Sequence, residues 1–295
     1  MTNSKDTMAA EITTQREFTF SRRDFEEVRK MIYDHAGIAL TEAKEDMVYS
    51  RLARRLRATG LKSFQNYLAL IRSGDAVEWV AFVNSLTTNL TDFFREAHHF
   101  HLLKDFLRTR QDRPITIWCS ASSTGEEPYS IAMTAVETFG GFNAPVQVLA
   151  SDLDTNVLKK GQEGVYTLDR LKKLSDAQQR QFFLKGTGER AGMVKVKPEL
   201  AAMVKFFRLN LLDASWPVTG QVKGGLDAIF CRNVMIYFDK PTQYTMLKKM
   251  KPLLKADGLL FMGHSEALYH ATDLFHLRGQ TVYEHAEAHP GKVHK

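Results

Sequence analysis

Glu126 and Glu127 follow directly on a turn of small residues, Ala121-Ser122-Ser123-Thr124-Gly125, and that turn follows the apolar residues Ile115, Ile117 and Trp118. Strand, small-residue turn and helix form the unit that opens a nucleotide-binding α/β sheet. The chemistry of the turn selects the ligand. A phosphate cradle uses glycines, a lysine and bare helix N–H groups aimed at an anion. This turn has a single glycine and sets two carboxylates where the phosphate would sit. They repel phosphate and suit a ligand that is cationic or rich in hydroxyls. S-adenosylmethionine is both, with a sulfonium, an ammonium and a ribose. The same two acids also suit an ordinary helix N-terminus through the helix dipole, so the turn alone leaves both readings open.

In sheets of this kind ligands bind beyond the carboxyl ends of the strands, and polar residues stand at several expected strand ends. Asp152 ends the second strand, in Ala-Ser-Asp-Leu-Asp, where a carboxylate can accept from both hydroxyls of a ribose. After the third comes Asn210-Leu211-Leu212, suited to the edge and face of an adenine. After the fourth comes Arg232-Asn233-Val234-Met235-Ile236-Tyr237-Phe238. Other chemistries fit less well. His98, His99 and His101 are clustered, but no two are four apart, and no cysteine or acid completes the usual metal spacing; no metal is expected. Gly263-His264-Ser265-Glu266 does not match the serine-hydrolase elbow. Asn233-Val234-Met235-Ile236-Tyr237 lacks the prolines of the loop that holds an exocyclic amine in DNA amino-methyltransferases.

The elements needed to position these residues can be read along the chain. Its 295 residues, 44% hydrophobic and 25% charged, are enough for one large or two modest globular domains. No run is apolar enough to span a bilayer, and Met1–Glu17 lacks the apolar stretch of a secretory leader. Cys119 and Cys231 lie in apolar runs and read as small buried hydrophobes in a reducing cytosol. From Phe18 to about Leu90 the spacing predicts four helices. The second runs from Thr41 as N-cap to Gly60, with Val48, Leu52 and Leu56 as its apolar stripe. Strands then alternate with helices: Ile115–Ala121, Glu126–Phe139, Val146–Asp152, a helix from Asp154, Val204–Leu209, Asp227–Arg232, Pro241–Leu254, and Leu259–Gly263 after an Asp257-Gly258 turn. Gln280–His285 is a candidate last strand. Between Gly164 and Ala202 an insert breaks the alternation, and Phe182–Leu184 and Met193–Val196 flank a glycine-containing turn as in a hairpin.

The net charge is +6, which admits nucleic acid, an anionic membrane or an acidic protein. Its placement is more informative. Between Lys44 and Lys62 stand Lys44, Arg51, Arg54, Arg55, Arg57 and Lys62 against Glu45 and Asp46. This basic helix face is either simply solvated or a surface for an acidic partner.

The segments Leu86–Phe100, Ala121–Ser130, Ala150–Asp154, Ile229–Asp239, Leu259–Glu266 and Leu277–Tyr283 together resemble the chemotaxis receptor glutamate O-methyltransferases, the CheR family, over about Phe18 to Tyr283. The resemblance implies an α/β fold like the class I S-adenosylmethionine-dependent methyltransferases. That fold is a mostly parallel sheet with helices on both faces, an inserted small antiparallel β subdomain and an N-terminal all-helical domain. The implied divisions are a disordered lead-in at 1–17, a helical domain at 18–90, a methyltransferase domain at 91–285 with the subdomain at about 164–202, and a tail at 286–295. Implied cofactor contacts are Asn89, Thr91, Arg95, Glu127, Asp152, Asn210, Leu211, Asn233 and Val234, beside the turn glycine Gly125. Arg95 and Tyr237 fall near the transferred methyl as the catalytic pair. Lys44, Arg51, Arg54, Arg55 and Arg57 would face the acidic methylation helices of a chemoreceptor. Gly186 and Gly188 resemble the loop that in some members grips a tethering peptide at the receptor's C-terminus. The family implies a cytoplasmic monomer that yields S-adenosylhomocysteine, with no metal, no nucleic-acid partner and no membrane insertion.

The expected reaction is displacement by a carboxylate oxygen. A glutamate, with a pKa of roughly 4.3, is already ionised at neutral pH and needs no general base. Two other readings fit parts of the pattern: a methyltransferase for nucleic acid, and a non-catalytic adaptor that senses S-adenosylmethionine.

Overall fold

The computed structural model describes residues 16–288 apart from residue 223. The N-terminal unit is helical: α1 (Arg22–Ala36), α2 (Glu45–Thr59), α3 (Phe64–Arg72) and α4 (Ala76–Leu86). Ser21 and Asp24 close a reciprocal capping box on α1, and Gly37 at φ +66° ends it. The second helix begins later than its sequence suggests. Thr41 makes no side-chain cap, Glu42–Lys44 form a 3-10 turn, and α2 proper starts at Glu45 and stops at Gly60. Phe25, Val28, Ile32, Val48, Leu52, Leu56, Tyr67, Leu68, Phe82 and Leu86 close into one core. Residues 1–15 and 289–295, most of the expected lead-in and tail, lie outside the described residues. Arg16 and Glu17, placed in the lead-in by sequence, pair with Asp46 and Arg57 at 2.6 and 2.8 Å.

The second unit runs α5 (His98–Arg108), β1 (Ile115–Cys119), α6 (Glu126–Phe139), β2 (Val146–Asp152) and α7 (Thr155–Glu163). An insert follows, with β3 (Val165–Thr167), α8 (Asp176–Phe182), β4 (Phe183–Lys185), β5 (Met193–Val196) and the one-turn α9 (Pro198–Ala201). The chain then returns through β6 (Val204–Arg208), α10 (Val218–Gln221), β7 (Leu226–Cys231), α11 (Lys240–Met250), β8 (Leu254–Met262), β9 (Phe275–Gly279) and β10 (Val282–His285). The main sheet has the order β6-β2-β1-β7-β8-β10-β9. Its first five strands are parallel, and the C-terminal hairpin adds antiparallel at one edge. Alternation along each strand feeds two cores. Ile117, Cys119, Val148, Ala150 and Phe230 point to one face, and Trp118, Leu149, Ile229 and Cys231 to the other. Both cysteines are buried and free. No described helix is long and apolar enough to cross a membrane.

Several expectations need correction. Asp257-Gly258 is not a turn: β8 runs through it. The register with β7 shifts between Leu226 and Ala228. A Cβ on Gly258 would lie 2.8 Å from the Leu254 side chain and 3.0 Å from the Asp227 carbonyl, so this irregular stretch needs a glycine. The helix expected to Leu254 stops at Met250, because Pro252 cannot continue it and a 3-10 turn takes over. The C-terminal strand is a hairpin, closed by Gln280 and Thr281, both at positive φ. The insert holds the expected β4–β5 pair, with β3 as a third strand on the other side of β5.

Candidate active site

The parallel strand order changes direction between β1 and β7, and there the carboxyl ends open a crevice. A cavity of about 290 Å³ fills it. Its floor is made by the loops after β1, β2, β6 and β7. Its roof comes from the helical unit, through Ala36, Ile38, Leu40, Lys44 and Met47. Hydrogen bonds hold the roof down: Ala39 N–H donates to the Tyr237 carbonyl at 2.9 Å, and Tyr33 Oη to Asp239 at 2.6 Å.

The turn after β1 is tightly made. Gly125 sits at φ +99°, where a Cβ would lie 2.9 Å from Tyr166 Oη and 3.0 Å from the Gly161 Cα. No other residue fits both the angle and the space. Gly125 shapes the wall without lining the cavity. Asp152, 9% exposed, accepts from the backbone N–H of Ser123 at 2.8 Å and of Asp154 at 3.0 Å. Burial pushes its pKa up to about 6 against these bonds. Glu127 accepts from Arg232 Nη1 at 2.6 Å and from the Cys119 thiol at 3.2 Å. Burial drives its pKa up, and Arg232 opposes the shift. Two buried carboxylates in a largely apolar crevice match a ligand that brings a cation and a diol, so the residues present fit S-adenosylmethionine.

Of the residues expected at the cofactor, Asn89, Thr91, Arg95, Glu127, Asp152, Asn210, Leu211, Asn233 and Val234 all line the cavity. All three of their side-chain amides are engaged elsewhere, Asn233 with Glu96 at 3.3 Å. Asn89 donates to Asp154 at 2.8 Å, and Asn210 donates to the His35 carbonyl at 2.8 Å while accepting from Leu212 N–H. Arg95 and Tyr237 both reach the cavity. Arg95 donates to the Leu90 carbonyl at 2.9 Å, and burial raises the Tyr237 pKa.

The expected partner-facing cations divide sharply. Lys44 lines the cavity and Arg54 is exposed. Arg51 donates to the carbonyls of Ser85 and Thr87 at 3.3 and 2.5 Å. Arg55 makes two bonds, 2.9 and 2.7 Å, to Glu78, a buried acid that also accepts from Tyr67. Arg57 pairs with Glu17 on the surface. Gly186 and Gly188 lie away from the cavity, in the turn of the β4–β5 hairpin. A Cβ on Gly186 would strike the Arg190 carbonyl at 2.1 Å, and β4 is an outer strand of its small sheet.

Sequence reasoning assigned no role to Arg232, Glu96 or Glu266. Arg232, 3% exposed, bridges Glu127 and Glu96 and donates to the Arg95 carbonyl at 2.6 Å. Burial acts to raise the Glu96 pKa, yet Arg232, His264 and Asn233 hold it at about 2. Glu266 accepts from the N–H groups of Asn233 and Gly263, both at 2.7 Å, and so fixes the loop after β7. Phe94, Glu96, Ser123 and Asn233 all hold positive φ, and such strain concentrates at functional sites. Position beside Asn233 was the available signal for Arg232; Glu96 and Glu266 carried none without the fold. Glu96 also brings an acid to His98 and His99, with ligand atoms within 4.8 Å, which the spacing did not foresee. Arg232 already neutralises that acid.

Comparison with known proteins agrees with this geometry. Residues 89–284 match the family described as CheR methyltransferase, SAM binding domain, and residues 23–87 match CheR methyltransferase, all-alpha domain. The chain is 51% identical over 272 residues to chemotaxis protein methyltransferase 2 of Pseudomonas aeruginosa, covering 92% of this chain and 95% of that one. It is 53% identical over 260 residues to the chemotaxis protein methyltransferase of Escherichia coli (88% and 89%). To the Salmonella typhimurium protein of the same name it is 50% identical over 271 residues, 92% of each.

Proposed function

The chain belongs to the CheR methyltransferase family, and from that premise we propose that it methylates glutamate side chains on the cytoplasmic helices of bacterial chemoreceptors, acting in the cytoplasm. The family gives an S-adenosylmethionine-binding methyltransferase. The acceptor is our reading, and one observation supports it: Arg95, a cation suited to an incoming carboxylate, lines the cavity together with Tyr237. A glutamate carboxylate is ionised at neutral pH and needs no general base.

Bound in the crevice, the cofactor supplies an electrophilic methyl on a sulfonium. The protein's part is to hold and align. Asp152 would accept from the ribose hydroxyls, and Glu127 would balance the cationic portion. Arg95 at the mouth holds the incoming carboxylate, and Tyr237 hydrogen-bonds it or closes the site. Alignment of this kind can supply about 7–11 kcal/mol. Opposite charges cancel as the ester forms, so exclusion of water by the helical roof favours the reaction. Lys44 and Arg54 are left to steer an acidic helix. The outer edge of β4, beside Gly186 and Gly188, is suited to pairing with an extended tether.

Incubation of the full chain with S-adenosylmethionine and a chemoreceptor cytoplasmic fragment, followed by peptide mapping, tests the acceptor. The expected product carries methyl on glutamate side chains and loses it when those residues are changed to alanine. Methyl found only on nitrogen, or on nucleic acid, would overturn the reading.

A further inference from the structure

The inserted subdomain has a second face, turned toward the cofactor crevice. Arg170 stands in the 3-10 turn after β3. It donates to the Thr91 carbonyl at 2.7 Å and pairs with the Glu126 carboxylate. Glu126 is 1% exposed, and its other oxygen accepts from Thr124 at 2.6 Å. Tyr166 donates to the Thr124 carbonyl at 2.7 Å and packs edge-on against Phe93, with ring centroids 5.1 Å apart. Lys173 pairs with Asp92 at 2.6 Å. Three side chains of one short segment thus grip the Thr91–Phe93 loop and the Thr124–Glu126 turn. Thr91, which opens the first segment, and Glu127, which follows the second, line the cavity.

We propose that Arg170 is a positioning residue for S-adenosylmethionine binding, through which the inserted subdomain holds two walls of the cofactor site in their binding form. Both bonds leave from Nη2, whose two N–H groups serve the carbonyl and the carboxylate together; the length of the arginine side chain and the fixed directions of its N–H groups are not reproduced by a lysine ammonium. Without it the buried Glu126 charge has no cationic partner, and the turn must move toward water. The binding-competent form then becomes a fraction of the population, and apparent affinity falls by that fraction.

Calorimetric titration of the full-length protein with S-adenosylhomocysteine tests this. Arg170→Ala is expected to weaken binding at least tenfold, and Arg170→Lys about threefold or more. Gln181→Ala, on the exposed side of the same subdomain, is expected to leave affinity unchanged. The Arg170→Ala loss is expected to shrink in an Glu126→Gln background, which a merely destabilised protein would not show. Should Arg170→Ala fail to fold, Arg170→Lys decides. Affinity within wild-type error for the lysine variant, or a Gln181→Ala loss as large as that of the arginine variants, would overturn the assignment. Cofactor binding is read without any acceptor, so its failure would leave the glutamate assignment untouched.

Discussion

The walls of the crevice and the basic face of α2 are both rich in charge, yet they use it in opposite ways. At the crevice, Arg232, Glu127 and Glu266 are buried and Glu96 is partly buried, and each has a named partner. Around them the backbone holds strained angles. On α2 the cations alternate between inward and outward duty within a few residues: Arg51 and Arg55 bind carbonyls and a buried acid, and Arg54 faces solvent. Charge at the crevice is thus paired within the fold. On α2 a part of the charge is left to solvent.

Breaking the crevice network should have the largest effect. Arg232→Met would strand the buried Glu127 carboxylate and the partly buried Glu96, and denaturant unfolding is expected to show a loss of about 3–5 kcal/mol. A loss below about 1 kcal/mol would mean that the network is not needed. Next comes Arg95→Ala, expected to lower turnover at least about a hundredfold, or ~2.7 kcal/mol in the barrier, with the unfolding midpoint unchanged. Turnover near that of the wild type would remove Arg95 from the reaction.

Asp152 sharpens the contrast through pH. Its pKa of about 6 in the fold lies above the ordinary 3.8. The neutral form therefore contributes stability at low pH, and this is lost as pH rises through about 6. Cofactor binding runs the other way, since the ribose needs an ionised acceptor, so affinity should fall as pH drops from 7 to 5. Asp152→Asn should bind weakly and flatten both trends; an unchanged pH profile of binding would contradict the role.

The smallest effects separate neighbours on α2. Arg54→Ala should leave stability within about 0.5 kcal/mol of wild type and lower acceptor kcat/KM a few-fold, only at low salt. Arg55→Ala should cost about 1–3 kcal/mol of stability, because Glu78 is left buried without its partner. Equal behaviour of the two variants would erase the distinction.

Much of this was legible before the fold was known. Helix α6 and strand β2 fall where the sequence placed them, since a small-residue turn, an N-terminal pair of acids and short β-branched runs are local signals. Asp152 and Asn233 stood at strand ends for the same reason. What pattern could not supply was long-range pairing. Periodicity sets Arg51 and Arg55 beside the apolar stripe of α2 and turns Arg54 and Arg57 away from it, but only tertiary contacts show that Arg55 meets Glu78 and Arg51 the Thr87 carbonyl. The Asp257-Gly258 pair has the composition of a turn, and it lies inside β8 at the register shift between the Leu254 and Leu259 pairings with β7. Strand β3, only three residues long, exists because β5 lies beside it.

The most direct test of the central claim is base-labile methyl transfer. The protein is incubated with radiolabelled S-adenosylmethionine and chemoreceptor-bearing membranes, treated with alkali, and the volatile methanol is counted. Release of label as methanol, lost in Arg95→Ala, is the predicted result and establishes a carboxyl methyl ester. Label that stays with the protein through alkali, or no transfer despite cofactor binding, would contradict the glutamate assignment.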